Sequence, residues 1–171
     1  MSNKIWEFTG ETKIHFGTTL KRIRAAVGFR LKCGIVVVRG ELGGWIEKES
    51  NLSGDAWVSG DARVSGNARV SGDAWVSGDA RVSGNARVSG NAEVYGDARV
   101  KSSEDYCVYK NTWSSFRWFT YTRSNKMWLV GCFYGTGTEL IAKAYKDSEK
   151  SGKCYEAIVK AQEAIEKEME M

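Results

Sequence analysis

From Ser53 to Val100, polar and apolar positions recur with a period of six. The stretch divides into SGDAWV, SGDARV, SGNARV, SGDAWV, SGDARV, SGNARV, SGNAEV and YGDARV, with nothing inserted between them. In each hexad a residue-Gly pair supplies a corner tolerant of positive φ, and four letters then alternate. Asp or Asn faces out, Ala in, Arg, Trp or Glu out, Val in. Two looser hexads, ELGGWI and EKESNL, come first and keep an aliphatic sixth position in Ile46 and Leu52. A short fixed period of this kind predicts a solenoid, in which each repeat buries its inner face only by stacking on its neighbours.

These hexads resemble the hexapeptide repeats of left-handed parallel β-helices, where three hexads make one triangular coil. The left-handed sense is implied by that resemblance and runs against the usual right-handed crossover. Residues eighteen apart are then expected to stack, roughly 4.8 Å apart along the axis. The verbatim return of Ser53–Val70 as Ser71–Val88 is thus one coil copied. The first outward face stacks Asp55, Asp73 and Asn91 beside Trp57, Trp75 and Glu93. The second stacks Asp61, Asp79 and Asp97 beside Arg63, Arg81 and Arg99, with Trp45 heading the arginine column. The third stacks Asn67 and Asn85 beside Arg69 and Arg87.

Each face carries its own expectation. On the second, every Arg has an Asp two residues away, which predicts an ion-pair ladder with nothing left over for a ligand. On the third, Arg69 and Arg87 lack such a partner and are candidate ligand-binding residues for phosphate or carboxylate, with plain solvation as the alternative. On the first, Trp57 and Trp75 predict an exposed indole column. Because β-helices of the resembled type commonly pack face to face, that column is the candidate interface of a homo-oligomer, a trimer being favoured. A platform for a planar ligand is the alternative use.

The flanks differ in composition from the array. Residues 1–40, with LKRIRA and GIVVVRG as short strands among glycine turns, predict a β cap over the open edge of the first coil. Residues 41–100 form the β-helix, and 101–171 a C-terminal module. There FRWFTYTR and KMWLVGCFYGTG predict a hairpin about the turn SN. Thr138 is placed to cap a helix through ELIAKAYKDSEK, Gly152 to close it, and KCYEAIVKAQEAIEKEMEM to form a second helix. The fold class expected is mainly β, a left-handed parallel β-helix with an N-terminal β cap and a C-terminal α+β (ββαα) module. In the hairpin, alternation puts Arg117, Phe119, Tyr121 and Arg123 on one face. Two helices cover only one face of a hairpin, so this one is a candidate site where a base stacks and a phosphate is paired. Coverage by the last coil or by a partner subunit is the alternative. The stretches ELGGWIEKESNLSGDAWV and FTYTRSNKMWLVGCFYGTGTELIAKAYKDSE resemble proteins of gut Firmicutes and their phages; that likeness names a neighbourhood and supplies no activity.

Composition narrows the chemistry. A net charge of +4 with 27% charged residues describes a mildly basic chain. No long apolar run exists and MSNKIWEF lacks the features of a secretion signal, so a cytoplasmic location in a bacterial host and no membrane contact are expected. Cys33, Cys107, Cys132 and Cys154 form no CxxC pair and His15 is the single histidine, so neither metal nor cofactor is expected. GTGTEL lacks the lysine and spacing of a phosphate loop. Proline is absent, which suits continuous backbone pairing.

Many proteins with the resembled β-helix are acyltransferases using a CoA thioester, and the resemblance implies a histidine base near a subunit boundary with a loop extruded from a coil. Here His15 lies in the flank and the hexads admit no loop, so no catalytic residue is assigned and acetyl-CoA chemistry stands as the alternative. The favoured reading is a non-enzymatic binding protein of phage or mobile-element type that sequesters a small nucleotide-like ligand or inhibits a bacterial defence protein. A polymer-forming structural protein is a further alternative. Arginines roughly 4.8 Å apart are too closely spaced to meet successive phosphates of an extended strand, which disfavours nucleic acid.

Overall fold

The computed structural model describes residues 4–170. The chain opens with an antiparallel hairpin of β1 (Trp6–His15) and β2 (Thr18–Ala25). Its two-residue turn holds Phe16 at φ +47° and Gly17 at φ +77°, the left-handed geometry such hairpin turns require. In β2 (TTLKRIRA) Leu20, Ile23 and Ala25 are buried, the strict alternation being broken between Leu20 and Ile23, next to a register shift against β5 between Arg22 and Arg24. A short pair, β3 (Phe29–Arg30) and β4 (Val36–Val37), follows. Then β5 (Leu42–Ile46) pairs antiparallel with β2 and begins the solenoid.

Eight two-residue strands make the array: β6 (Trp57–Val58), β7 (Arg63–Val64), β8 (Arg69–Val70), β9 (Trp75–Val76), β10 (Arg81–Val82), β11 (Arg87–Val88), β12 (Glu93–Val94) and β13 (Arg99–Val100). They form a β-solenoid of about three turns. Strands three apart pair in parallel, so that Trp57 meets Trp75 and Trp75 meets Glu93 on the first face. Trp45, Arg63, Arg81 and Arg99 run in register down the second. Arg69 pairs with Arg87 on the third, with Leu52 bridging Val70 at its head.

The hydrogen-bond rule of the ladder is uniform. The N–H of each outward strand residue donates to the carbonyl of the Ala seventeen positions on, as in Trp57 to Ala74 (3.0 Å), Arg63 to Ala80 (2.9 Å) and Arg69 to Ala86 (2.9 Å). Every hexad Ala and Val is buried, and the narrow interior suits this alternation of small and branched side chains. At the corners glycine is required: Gly78 has φ +71°, and a Cβ there would lie 3.0 Å from the backbone N and O of Gly96 one coil on.

After Val100 the chain leaves the array for an antiparallel sheet in the order β14 (Tyr106–Lys110), β15 (Trp118–Thr122), β16 (Met127–Val130) and β17 (Phe133–Gly135). Helices α1 (Gly137–Asp147) and α2 (Glu149–Glu170) follow. The hairpin expected around SN is present as β15–β16, but the module is ββββαα rather than ββαα. Gly131, at φ +60°, breaks KMWLVGCFYGTG into two strands around a tight turn, and DYCVYKN pairs as an outer strand.

The helix boundaries also move. Thr136, not Thr138, caps α1: its hydroxyl accepts from the Glu139 N–H (3.3 Å), and its own N–H donates to the Glu139 carboxylate (2.8 Å). Gly152 lies inside α2 instead of ending α1, because it packs against the Tyr145 ring, where a Cβ has no room. Phe119, Tyr121, Trp128, Leu140, Ala144, Tyr155 and Val159 form the module's own core.

Module and solenoid meet where the ladder runs out of partners. The last-rung N–H groups find hydroxyls in place of the missing Ala carbonyls: Arg87 donates to Ser103 Oγ (3.3 Å), Glu93 to Thr120 Oγ1 (2.9 Å) and Arg99 to Ser124 Oγ (2.7 Å). All three faces are thereby closed at one end, the arrangement that blunts an open β edge.

Candidate functional site

The aromatic face proposed for β15 is not available to a ligand. Phe119 and Tyr121 do share a face, but α1 and α2 cover it and both rings are buried. Burial pushes the Tyr121 hydroxyl up to about 12. Arg123 is engaged by the Glu166 carboxylate at 3.1 Å. The opposite face, with Thr120 and Thr122, is buried as well, Thr120 against the last coil. Of the four candidates, only Arg117 stays exposed.

The indole column is not exposed either. Trp57 is 1% exposed, with Phe29 edge-on to it at 5.5 Å between ring centres. Trp75 is half-buried; its Nε1 donates to Ser59 Oγ (2.9 Å) and its ring packs beside Tyr95. The segment between β2 and β5 closes more than the first coil's edge: Phe29, Leu31 and Cys33 fold down over the face and pack into the solenoid core. The surface assigned to self-association is therefore an internal contact.

On the second face the Asp–Arg ladder does not form among the described residues. Asp61 takes Lys13 Nζ (3.5 Å) and Trp45 Nε1 (3.3 Å), and Asp97 accepts from Asn125 (3.0 Å). Lys13 comes from β1, which lies alongside, so the nearest cation to Asp61 is not its hexad neighbour. Arg63 instead contacts the His15 ring (3.0 Å to Nε2). On the third face Arg69 and Arg87 line an open groove of about 350 Å³ with Lys48, Ser50, Asn67 and Asn85, and no carboxylate enters its lining.

A different site stands where the Trp column ends. Glu93 occupies its third rung, 6% exposed, and its carboxylate has neither a hydrogen bond nor an ion pair among the described residues. Burial pushes this carboxyl from the ordinary 4.5 to about 7, with the Arg117 guanidinium pulling the other way. Beside it the Asn91 Oδ1 is buried without a partner. Both line a cleft of about 410 Å³ built from three parts of the chain: Lys32 and Cys33 from the cap, Asn91 and Glu93 from the last coil, and Phe116, Arg117, Trp118 and Gly131 from the module. Phe116 is exposed and held at φ +56°, a backbone region non-glycine residues seldom occupy. Lys32 reaches Asp73 (2.6 Å), and Lys110 lies over the Trp118 ring.

Chemically the cleft offers the Glu93 carboxylate and, buried beside it, the Asn91 oxygen on its floor, two exposed aromatic rings at its mouth and cations at its rim. Sequence reasoning placed Glu93 in the column without marking it, although the letter that breaks the Trp series in SGNAEV was the available signal. Burial pushes the Cys33 thiol up, which keeps it protonated. Among the described residues, no group of three His, Cys, Asp or Glu side chains is placed to hold a metal ion, and no helix is long and apolar enough to cross a membrane.

No curated protein and no solved structure matches the chain. A family model, the YdcK beta solenoid repeat, matches residues 62–78 and 80–94, so that the central coils are similar to that family's repeat and the chain is a β-solenoid protein.

Proposed function

We propose that the chain is a non-enzymatic binding protein that holds a small nucleotide-like ligand in the cleft floored by Glu93. The observation that carries this reading is the Glu93 carboxylate, on a side chain only 6% exposed, without a protein partner among the described residues and opening onto the cleft beside the buried, unpaired Asn91 oxygen. Unsatisfied buried acceptors are costly, and a ligand edge with adjacent N–H donors offsets that cost on binding. A guanine-type edge presents two such donors to one carboxylate. Phe116 and Trp118 offer stacking surfaces to a planar base, and Arg117 offers charge to its phosphate.

The likeness to phage proteins directs the search toward a nucleotide signal of a bacterial host, which sequestration would withdraw. The ladder end closed by the module favours a discrete binder over a polymer-forming protein.

Calorimetry with guanine, adenine and uracil mononucleotides and cyclic dinucleotides tests the reading. Guanine-bearing ligands are expected to bind and to be recovered chemically unchanged, with Glu93→Ala weakening them by roughly tenfold or more, the scale of one charge-assisted hydrogen bond. Absence of heat with every nucleotide, or equal affinity in Glu93→Ala, refutes it.

A further inference from the structure

The second face carries an arrangement that its sequence disguises. Arg63, Arg81 and Arg99 stack in parallel register, each roughly 4.8 Å from the next. Like charges at that spacing repel unless something neutralises them. Among the described residues none of the aspartates expected to do so is within ion-pair distance of an arginine: Asp61 pairs with Lys13, Asp97 accepts from Asn125, and Asp79 is exposed and off the groove.

Between the arginines and the β1–β2 turn lies a groove of about 230 Å³, walled by His15 and Phe16 on one side and ending at Lys101. No carboxylate lines it. The Arg63 Nε is buried with no hydrogen-bond partner, a donor held out of water and unused.

We propose that this groove is a second binding site, separate from the Glu93 cleft, for a ligand carrying linked phosphates. A guanidinium fork pairs phosphate oxygens in parallel, and neighbouring rungs can clamp one phosphate between them. Because three rungs are stacked, a single phosphate uses only part of the column. A chain of phosphates runs along it, from the Arg63 guanidinium beside His15 at one end to Lys101 at the other. The Ser65 and Ser83 hydroxyls in the groove wall add neutral donors.

His15 makes the site readable, because the chain has one histidine. Burial, then the charges of Arg63, Arg81 and Lys13, hold its imidazole below the ordinary range. Lys13 is itself paired with Asp61, and Phe16 packs on the ring without charge. A bound oligophosphate places negative charge against Arg63 and Arg81, so the His15 pKa rises on binding.

The experiment is an NMR titration of the His15 ring in the full chain with inorganic tripolyphosphate, pyrophosphate and orthophosphate. Tripolyphosphate is expected to bind roughly tenfold or more tighter than orthophosphate and to move the His15 titration to higher pH. Arg81→Ala is expected to lose roughly tenfold in tripolyphosphate affinity, while Arg69→Ala on the third face and Glu93→Gln leave it unchanged. Arg99→Ala, at an exposed position, serves if Arg81→Ala does not fold. Tripolyphosphate binding no tighter than orthophosphate, a His15 titration that stays put at saturation, or unchanged affinity in the folded arginine variant overturns the proposal. The Glu93 cleft is tested by bases and this groove by base-free phosphates, so either can fail alone.

Discussion

Replacing Glu93 by Gln keeps the shape of the side chain and removes its charge, which makes stability against pH a direct reading of the cleft floor. The folded carboxyl titrates at about 7 against an ordinary 4.5, so between those values the folded chain holds a proton that the unfolded chain has released. Unfolding stability therefore falls as pH rises through this window and is level above it. At 1.36 kcal/mol per pH unit the gap corresponds to roughly 3 kcal/mol, and a side chain 6% exposed has little solvent screening to reduce it. Glu93→Gln escapes this loss. Urea denaturation of both proteins at pH 4, 6 and 8 is the assay, with the difference between them cancelling the other titrating groups. The variant should gain on the parent by up to roughly 3 kcal/mol from pH 4 to pH 8, whatever constant offset the amide itself introduces. A difference that does not change with pH, or one that moves in the parent's favour as pH rises, refutes a buried and unpaired carboxylate.

Two further outcomes follow from the coils and the module. Gly78→Ala puts a Cβ at φ +71° and 3.0 Å from the next coil's backbone, and should cost about 1–2 kcal/mol or more in thermal or urea unfolding. Arg123→Ala strips the Glu166 carboxylate of its cation and should destabilise the chain by roughly 1–3 kcal/mol in the same assays, while leaving nucleotide affinity unchanged because Arg123 lies outside the cleft.

The columns were legible because a period of six with three hexads per coil leaves one choice of which residues stack. Trp57 over Trp75 and Arg63 over Arg81 follow from counting alone. What lies on top of a column does not. Trp57 is covered by Phe29, nearly thirty positions earlier, and nothing in either hexad announces that contact. The ion-pair ladder failed for the same reason: Lys13 and His15 arrive from a hairpin whose pairing with β5 places them beside Asp61 and Arg63. In the module the alternation expected for FRWFTYTR holds only over Trp118–Thr122, with Phe116, Arg117 and Trp118 lining one cleft, and which face of the strand the helices cover depends on where α2 packs. Phe119 and Tyr121 went to the helices because the other face carries Thr120, whose hydroxyl takes the coil's unsatisfied Glu93 N–H. Glu93 was visible as a letter, but its meaning needed Asn91, Phe116 and Arg117 around it.

The three hydroxyls that terminate the ladder are indifferent to how many coils precede them, since Ser103, Thr120 and Ser124 bind backbone N–H groups that any last rung would offer. An array built from a verbatim eighteen-residue unit can then lengthen by whole copies while that end stays sealed. Each added copy would carry the module roughly 4.8 Å further from the cap. Lys32 stands on the cap and Arg117 on the module, so coil number sets the height of the opening between them. The repeat acts in this sense as a gauge: a duplication that leaves the core and the module's seal intact changes the height of the cleft.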